Sequence, residues 1–178
     1  MRAFVARYVV VLVGGVALAC QHVSAEPSVA EPPSREPVSF AFGTIDGTEL
    51  SSATTRGRVT ALLFVTTFDL ASQMEAKRLN ELYHSHRPRI NVGAVVLEAP
   101  EYAVLAGVFR SSLGLSFPVA LADHVSLDGQ SSLGVNSVPT LIVLDRDGRE
   151  IGRRSGIVSQ HEIERLLSQG ASSGPSPD

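Results

Sequence analysis

Three side chains able to move protons follow one another at spacings of three residues: Asp69, Ser72 and Glu75. A serine hydroxyl becomes a useful nucleophile only when a base takes its proton. Asp69 is a candidate catalytic carboxylate, Ser72 a candidate nucleophile, and Glu75 a candidate buried acid whose pKa burial would raise. Each also has a plain structural role. Asp69 suits a helix N-cap, where its carboxylate accepts amide hydrogens left free in the first turn. Serine is common in such a turn, and Glu75 could pair with Lys77 or Arg78. His84 and His86 offer a metal ligand pair, but at i and i+2 on a helix they point to different faces. His124, next to Asp123, reads as a residue of a solvated loop. The single cysteine of the chain is Cys20, so no intrachain disulfide can form. No metal site and no cofactor is expected.

These residues must be positioned by a small set of elements. Val38 to Phe42 alternates as a half-buried strand does, and Asp46-Gly47 turns the chain into Thr48-Glu49-Leu50. Val59 to Val65 is a continuous apolar run suited to a strand buried on both faces. A helix from Asp69 to about Tyr83 follows, with Ala71, Met74, Leu79, Leu82 and Tyr83 on its apolar arc. Glu75 falls inside that arc. Asn91 to Leu97 is the next strand. Tyr102 to Leu113 is an amphipathic helix with Leu105, Val108, Phe109 and Leu113 on one side. Phe117-Pro118-Val119 is extended. Thr140 to Leu144 and Glu150 to Arg154 form a hairpin across Asp147-Gly148. Ser159 with Glu162 makes a capping box that opens a last helix, whose core face is Ile163, Leu166 and Leu167. The order is that of an α/β fold with a mixed central sheet, an N-terminal hairpin and helices on both faces.

The chain of 178 residues is long enough for one domain, and 44% of it is apolar, which supports a sizeable core. Charged residues make up 19%, and the formal net charge is −3. No run of Lys or Arg stands out in the sequence, so no basic patch and no nucleic-acid partner is expected. Residues 1–20 combine Arg2 and Arg7 with an apolar run from Tyr8 to Ala19, the pattern of a signal segment and shorter than a membrane span. Without those two arginines the remainder carries −5. Residues 21–36 are rich in Pro, Ser and Glu and read as a tether. Residues 37–168 are the folded domain, and 169–178 a flexible Gly/Ser/Pro tail.

Ala17-Leu18-Ala19-Cys20 resembles the lipobox of bacterial lipoproteins, which implies lipidation of Cys20. The pattern has Ala17 where leucine is usual, and Val23-Ser24-Ala25 offers an ordinary cleavage site instead. The first reading implies an outer-membrane lipoprotein facing the periplasm or the surface, the second a soluble secreted or periplasmic protein.

Residues 37–168 resemble the TlpA-type thioredoxin-like proteins of bacterial envelopes, within the thiol–disulfide oxidoreductase and redoxin superfamily. The resemblance rests on Asp46-Gly47-Thr48-Glu49-Leu50, Arg56-Gly57-Arg58-Val59, Phe117-Pro118-Val119, Leu133-Gly134-Val135, Val138-Pro139-Thr140 and Asp145-Arg146-Asp147-Gly148. It implies a thioredoxin-like fold and a cis bond before Pro139. It also places Asp69 and Ser72 at the two positions of the family's Cys-x-x-Cys motif, and Glu75 at the acidic position beneath them. Exchange begins when a thiolate attacks a disulfide, and neither replacement supplies one. The expected function is therefore a redox-inactive, envelope-tethered binding or scaffold module. Its partner would be an envelope protein or extended peptide in the groove around Pro139, with a lipid anchor holding it to the membrane. The alternative is an enzyme of the oxidoreductase family that borrows a thiol from a partner or uses Asp69, Ser72 and Glu75 without cysteine.

Overall fold

The computed structural model describes residues 36–122 and 133–172. The expected signal segment with Cys20, the tether before residue 36, His124 and the last six residues of the expected tail lie outside the described residues.

The central strand, β3 (Val59–Val65), is buried along its whole length, as its unbroken apolar run requires. On one side it pairs in parallel with β4 (Ile90–Val96), and on the other antiparallel with β6 (Thr140–Leu144). Outward from β4 come β5 (Val119–Leu121), β1 (Ala41–Thr44) and β2 (Glu49–Ser51), and outward from β6 comes β7 (Glu150–Ser155). The sheet is mixed and seven-stranded among the described residues, in the order β2-β1-β5-β4-β3-β6-β7. The first strand begins three residues later than the alternation predicts. Val38 is held elsewhere, its N–H donating to Gly148 at 2.9 Å, so the chain enters the domain beside the β6–β7 turn.

Alternate residues of β3 face two separate cores. Val59, Ala61, Leu63 and Val65 meet Ala76, Leu79 and Leu82 of α2 (Leu70–His86), Ala106 and Phe109 of α3 (Ala103–Leu113), and Ile163, Leu166 and Leu167 of α4 (Gln160–Ser172). On the opposite face Leu62 and Phe64 pack with Phe40, Phe42, Leu50, Val95, Ile142 and Leu144. A short helix, α1 (Ser52–Thr55), lies on that second side, where Thr60 and Asn91 both donate to the Thr55 carbonyl.

Several boundaries differ from the sequence reading for identifiable reasons. Helix α2 continues to His86 and stops where Pro88 forces Arg87 out of helical geometry. Met74, assigned to the apolar arc, is 47% exposed, while Glu75 is buried in it. On α3, Leu105 and Val108 face solvent, and Ala106 and Phe109 make the contact with the core. The capping box of α4 is half made. Ser159 accepts from the Glu162 N–H at 3.3 Å, but the Glu162 carboxylate is taken by Arg154 and Arg165. That helix runs through Ser172, so the ordered fold passes residue 168. Gly170 lies inside it, with Ile151 and Val59 so close that a Cβ at residue 170 would sit 2.8 and 3.0 Å from them.

Candidate functional site

At the C-terminal ends of β3 and β4 the sheet gives way to loops, and the start of β6 comes to the same end because Phe64 is paired with Thr140. This juxtaposes residues 66–69, 97–99, 137–139 and 155–158. Asp69, Ser72, Glu75 and Pro139, separated by up to 70 positions in sequence, all belong to this end.

Asp69 is the N-cap of α2, as its type predicts. Its Oδ2 accepts from the Ser72 N–H and from the Ser72 Oγ, both at 2.7 Å. The hydrogen bonds from the Ser72 hydroxyl and backbone hold its carboxyl below the usual range. Ser72 is fully buried, and its Oγ also accepts from the Thr66 N–H at 3.4 Å. A carboxylate stabilised in its charged form is a poor base, and a buried hydroxyl that already donates to it is out of a substrate's reach. The pair closes the turn; it does not present a nucleophile.

Glu75 is 1% exposed, and burial pushes its carboxyl upward. Its Oε2 accepts from the Val158 N–H at 3.3 Å and from Arg78 at 3.2 Å, while its Oε1 has no partner among the described residues. Arg78 also donates to the Val158 carbonyl, so both backbone groups of Val158 are held from α2. The neighbouring Ile157 is left 54% exposed.

The Val138–Pro139 bond is cis. Pro139 is buried and its carbonyl accepts from Gly156 at 2.8 Å. The backbone of Val138 makes no hydrogen bond among the described residues. Around it this end carries Phe68 at 78% exposure and Leu70 at 68%.

One residue of the site escaped the sequence reading. Glu98 is buried just beyond β4, and its carboxylate accepts from the Thr67 N–H at 2.5 Å and the Thr67 Oγ1 at 2.7 Å. Gln73 donates to the Thr67 carbonyl at 2.9 Å. Thr67 is thereby fixed at every polar group, and Phe68 is turned outward. The available signal was an acidic residue directly after an apolar strand. The histidines do not converge: His84 Nε2 lies 3.1 Å from Ser116 Oγ, and His86 Nδ1 lies 2.9 Å from the Leu82 carbonyl. Among the described residues no three His, Cys, Asp or Glu side chains group as metal ligands.

A mixed sheet with a parallel centre, a capped helix directly after the central strand and a cis-proline facing that helix end define the thioredoxin-like fold. Solved structures agree. StoA from Bacillus subtilis superposes with a TM-score of 0.59 at 20% identity, covering 75% of this chain and 98% of that one. A DsbF homologue from Corynebacterium diphtheriae gives 0.64 at 18% identity over 79% and 87%. A secreted Mycobacterium tuberculosis disulfide oxidoreductase gives 0.59 at 19% identity over 73% and 95%. In sequence the chain is similar to the thiol-disulfide oxidoreductase ResA of Bacillus thuringiensis and of Bacillus anthracis, 26% identical over 133 residues, or 75% of each chain. No protein-family model matches. The chain thus has the thioredoxin-like fold and is similar in sequence to proteins named as thiol-disulfide oxidoreductases.

Proposed function

We propose that this chain is an exported, envelope-tethered member of that group that carries out no thiol–disulfide exchange of its own and binds an extended peptide segment along Val138–Pro139. The observation that carries the reading is the closed Asp69–Ser72 pair at the N-terminus of α2, in a chain whose only cysteine is Cys20. Where the relatives' chemistry needs two thiols, this chain has a cap. What remains is a recognition surface. The Val138 backbone, unpaired among the described residues, can hydrogen-bond an extended strand, and Phe68, Leu70 and Ile157 supply apolar contacts beside it. Export is supported by the signal-like residues 1–20 and by the secreted neighbour. Attachment through a lipid on Cys20 is part of the same proposal. No helix among the described residues is long and apolar enough to cross a membrane.

The test has two arms. The full chain should give no insulin reduction with dithiothreitol and no peroxide turnover above buffer; clear turnover in either assay would support the enzyme reading with a borrowed thiol instead. Against an array of peptides drawn from envelope proteins, the chain should select extended apolar segments. Phe68→Ser and Ile157→Ser should each weaken the selected peptides about tenfold, the ordinary effect of removing an apolar anchor. Both residues are exposed, so the melting temperature should stay put. Binding unaffected by either substitution would move the partner to another face.

A further inference from the structure

The end of the sheet opposite the Asp69–Pro139 site carries a concentration of charge that the sequence disguises. Two Arg-x-Arg pairs, Arg56/Arg58 before β3 and Arg87/Arg89 before β4, meet Arg146 in the β6–β7 turn. Their proximity is fixed by backbone contacts. Gly57 N–H donates to the Arg146 carbonyl at 2.8 Å, and the Arg58 guanidinium lies 3.4 Å from the Pro88 carbonyl. All five arginines are exposed. None of them forms an ion pair among the described residues. Every other described arginine does: Arg78 with Glu75, Arg110 with Asp46, Arg149 with Asp147, Arg153 with Glu150, and Arg154 and Arg165 with Glu162. The acids close to this end do little to neutralise it. Asp147 is used by Arg149, Asp145 is buried and accepts from the backbone of Asp147 and Arg149, and Glu49 alone lines the cleft that holds Arg58 and Arg87. The expectation of no basic patch is thus corrected: a chain of net charge −3 assembles one from three separated segments.

Two clefts give this end relief. One of about 350 Å³ is lined by Arg58, Arg87, Asn91 and Glu49. The other, of about 390 Å³, is lined by Gly57, His86, Arg89 and Arg146 over apolar Leu167 and Ala171. Guanidinium groups are suited to phosphate, which they meet with two parallel hydrogen bonds.

The second observation is where the chain enters the domain. Pro37 bridges to Arg149, and Val38 donates to Gly148, so the segment preceding the fold arrives at the same end. We propose that this arginine end is a docking surface for the headgroups of anionic phospholipid, holding the domain against the membrane to which its own N-terminal segment is attached. The proposal rests on the tethered reading above. A tether of residues 21–36 reaches at most on the order of 50 Å, and its root is the arginine end. A membrane at the far end of that tether is the one polyanionic surface the fold brings to these residues permanently. Basic residues beside an anionic surface add electrostatic attraction to whatever the N-terminal attachment supplies. With this end down, the Val138–Pro139 surface faces away from the membrane.

The test is sedimentation of the full chain with vesicles of phosphatidylcholine alone and of phosphatidylcholine mixed with phosphatidylglycerol. Neutral vesicles report the N-terminal segment; the excess on anionic vesicles reports the arginines. That excess should be at least on the order of tenfold in partition coefficient, since each basic residue near such a surface adds a severalfold gain. It should vanish at about 1 M salt. The variant Arg58→Gln/Arg89→Gln/Arg146→Gln should lose the excess, keep its binding to neutral vesicles, and keep its melting temperature. Equal partition of the wild type between the two vesicles overturns the proposal, as does an excess that survives in the variant. So does arginine-dependent binding to duplex DNA or to an acidic polypeptide without binding to anionic vesicles. Loss of binding to neutral vesicles alone would count against the tether and not against the arginine end.

Discussion

Asp69 and Ser72 close the first turn of α2 with a 2.7 Å hydrogen bond. The residue beneath them behaves differently. Glu75 is buried, half satisfied, and held above its ordinary pKa by desolvation. Because the folded state binds this proton more tightly than the unfolded chain, the group's contribution to stability is full in acid and is lost as pH rises through its folded value. Above that folded value a buried charge, with one oxygen unpartnered among the described residues, is a cost. Glu75→Gln keeps the shape and an acceptor for Val158 and Arg78 while removing the charge. It should raise stability by about 1 kcal/mol near pH 8 and change it little near pH 4, as read by denaturant melts at the two pH values. A variant less stable than wild type near pH 8 but not near pH 4 would mean that the charge on Glu75, through Arg78, is what holds Val158.

At the scale of elements, what the sequence disclosed and what it concealed divide along a physical line. Strands β3 and β6 and the cap of α2 were legible because each is decided locally, by an apolar run or by one side chain. The faces of α2 and α3 were read less well, since which residue of an apolar arc meets the sheet depends on how the helix is set down. The Glu98 clamp and the arginine end were concealed because they join segments up to 90 residues apart. Helix α4 shows the same limit. Its seat depends on glycines in two elements, and a Cβ at Gly152 of β7 would lie 2.5 Å from Leu166, itself fully buried. Gly152→Ala should therefore cost about 1–3 kcal/mol through overpacking, measured by equilibrium unfolding. The polar side of the same contact is Glu162, held by Arg165 and Arg154 and pulled down to about 2. Its folded value lies below that of the unfolded chain, so its contribution is present above the unfolded value and lost as pH falls through about 2. Glu162→Gln should cost about 1–2 kcal/mol at neutral pH, allowing for its partial exposure, and nothing in strong acid. A cost that does not change with pH would assign the effect to shape and not to charge.

For the whole molecule, the two ends of the sheet have opposite characters. One exposes Phe68, Leu70 and Ile157 beside a Val138 backbone that is unpaired among the described residues; the other is basic and lies beside Pro37 and Val38. They are separated by the seven residues of β3, about 20 Å of buried strand. No shared side chain links them among the described residues, and a well-packed core between two surfaces transmits little unless it has two arrangements to choose from. Substitutions more than about 10 Å apart without shared partners ordinarily add to within about 0.5 kcal/mol. Combining Phe68→Ser with the triple arginine variant should therefore give the sum of the separate effects. Peptide affinity should fall as it does with Phe68→Ser alone, and the excess on anionic vesicles as it does with the arginine variant alone. The informative measurement is peptide affinity with and without anionic vesicles, for both parents and the combination. An interaction energy beyond about 1 kcal/mol would show that docking at one end changes the other, and would make the membrane surface an effector of recognition at Val138–Pro139. Additivity would mean that the two ends act independently.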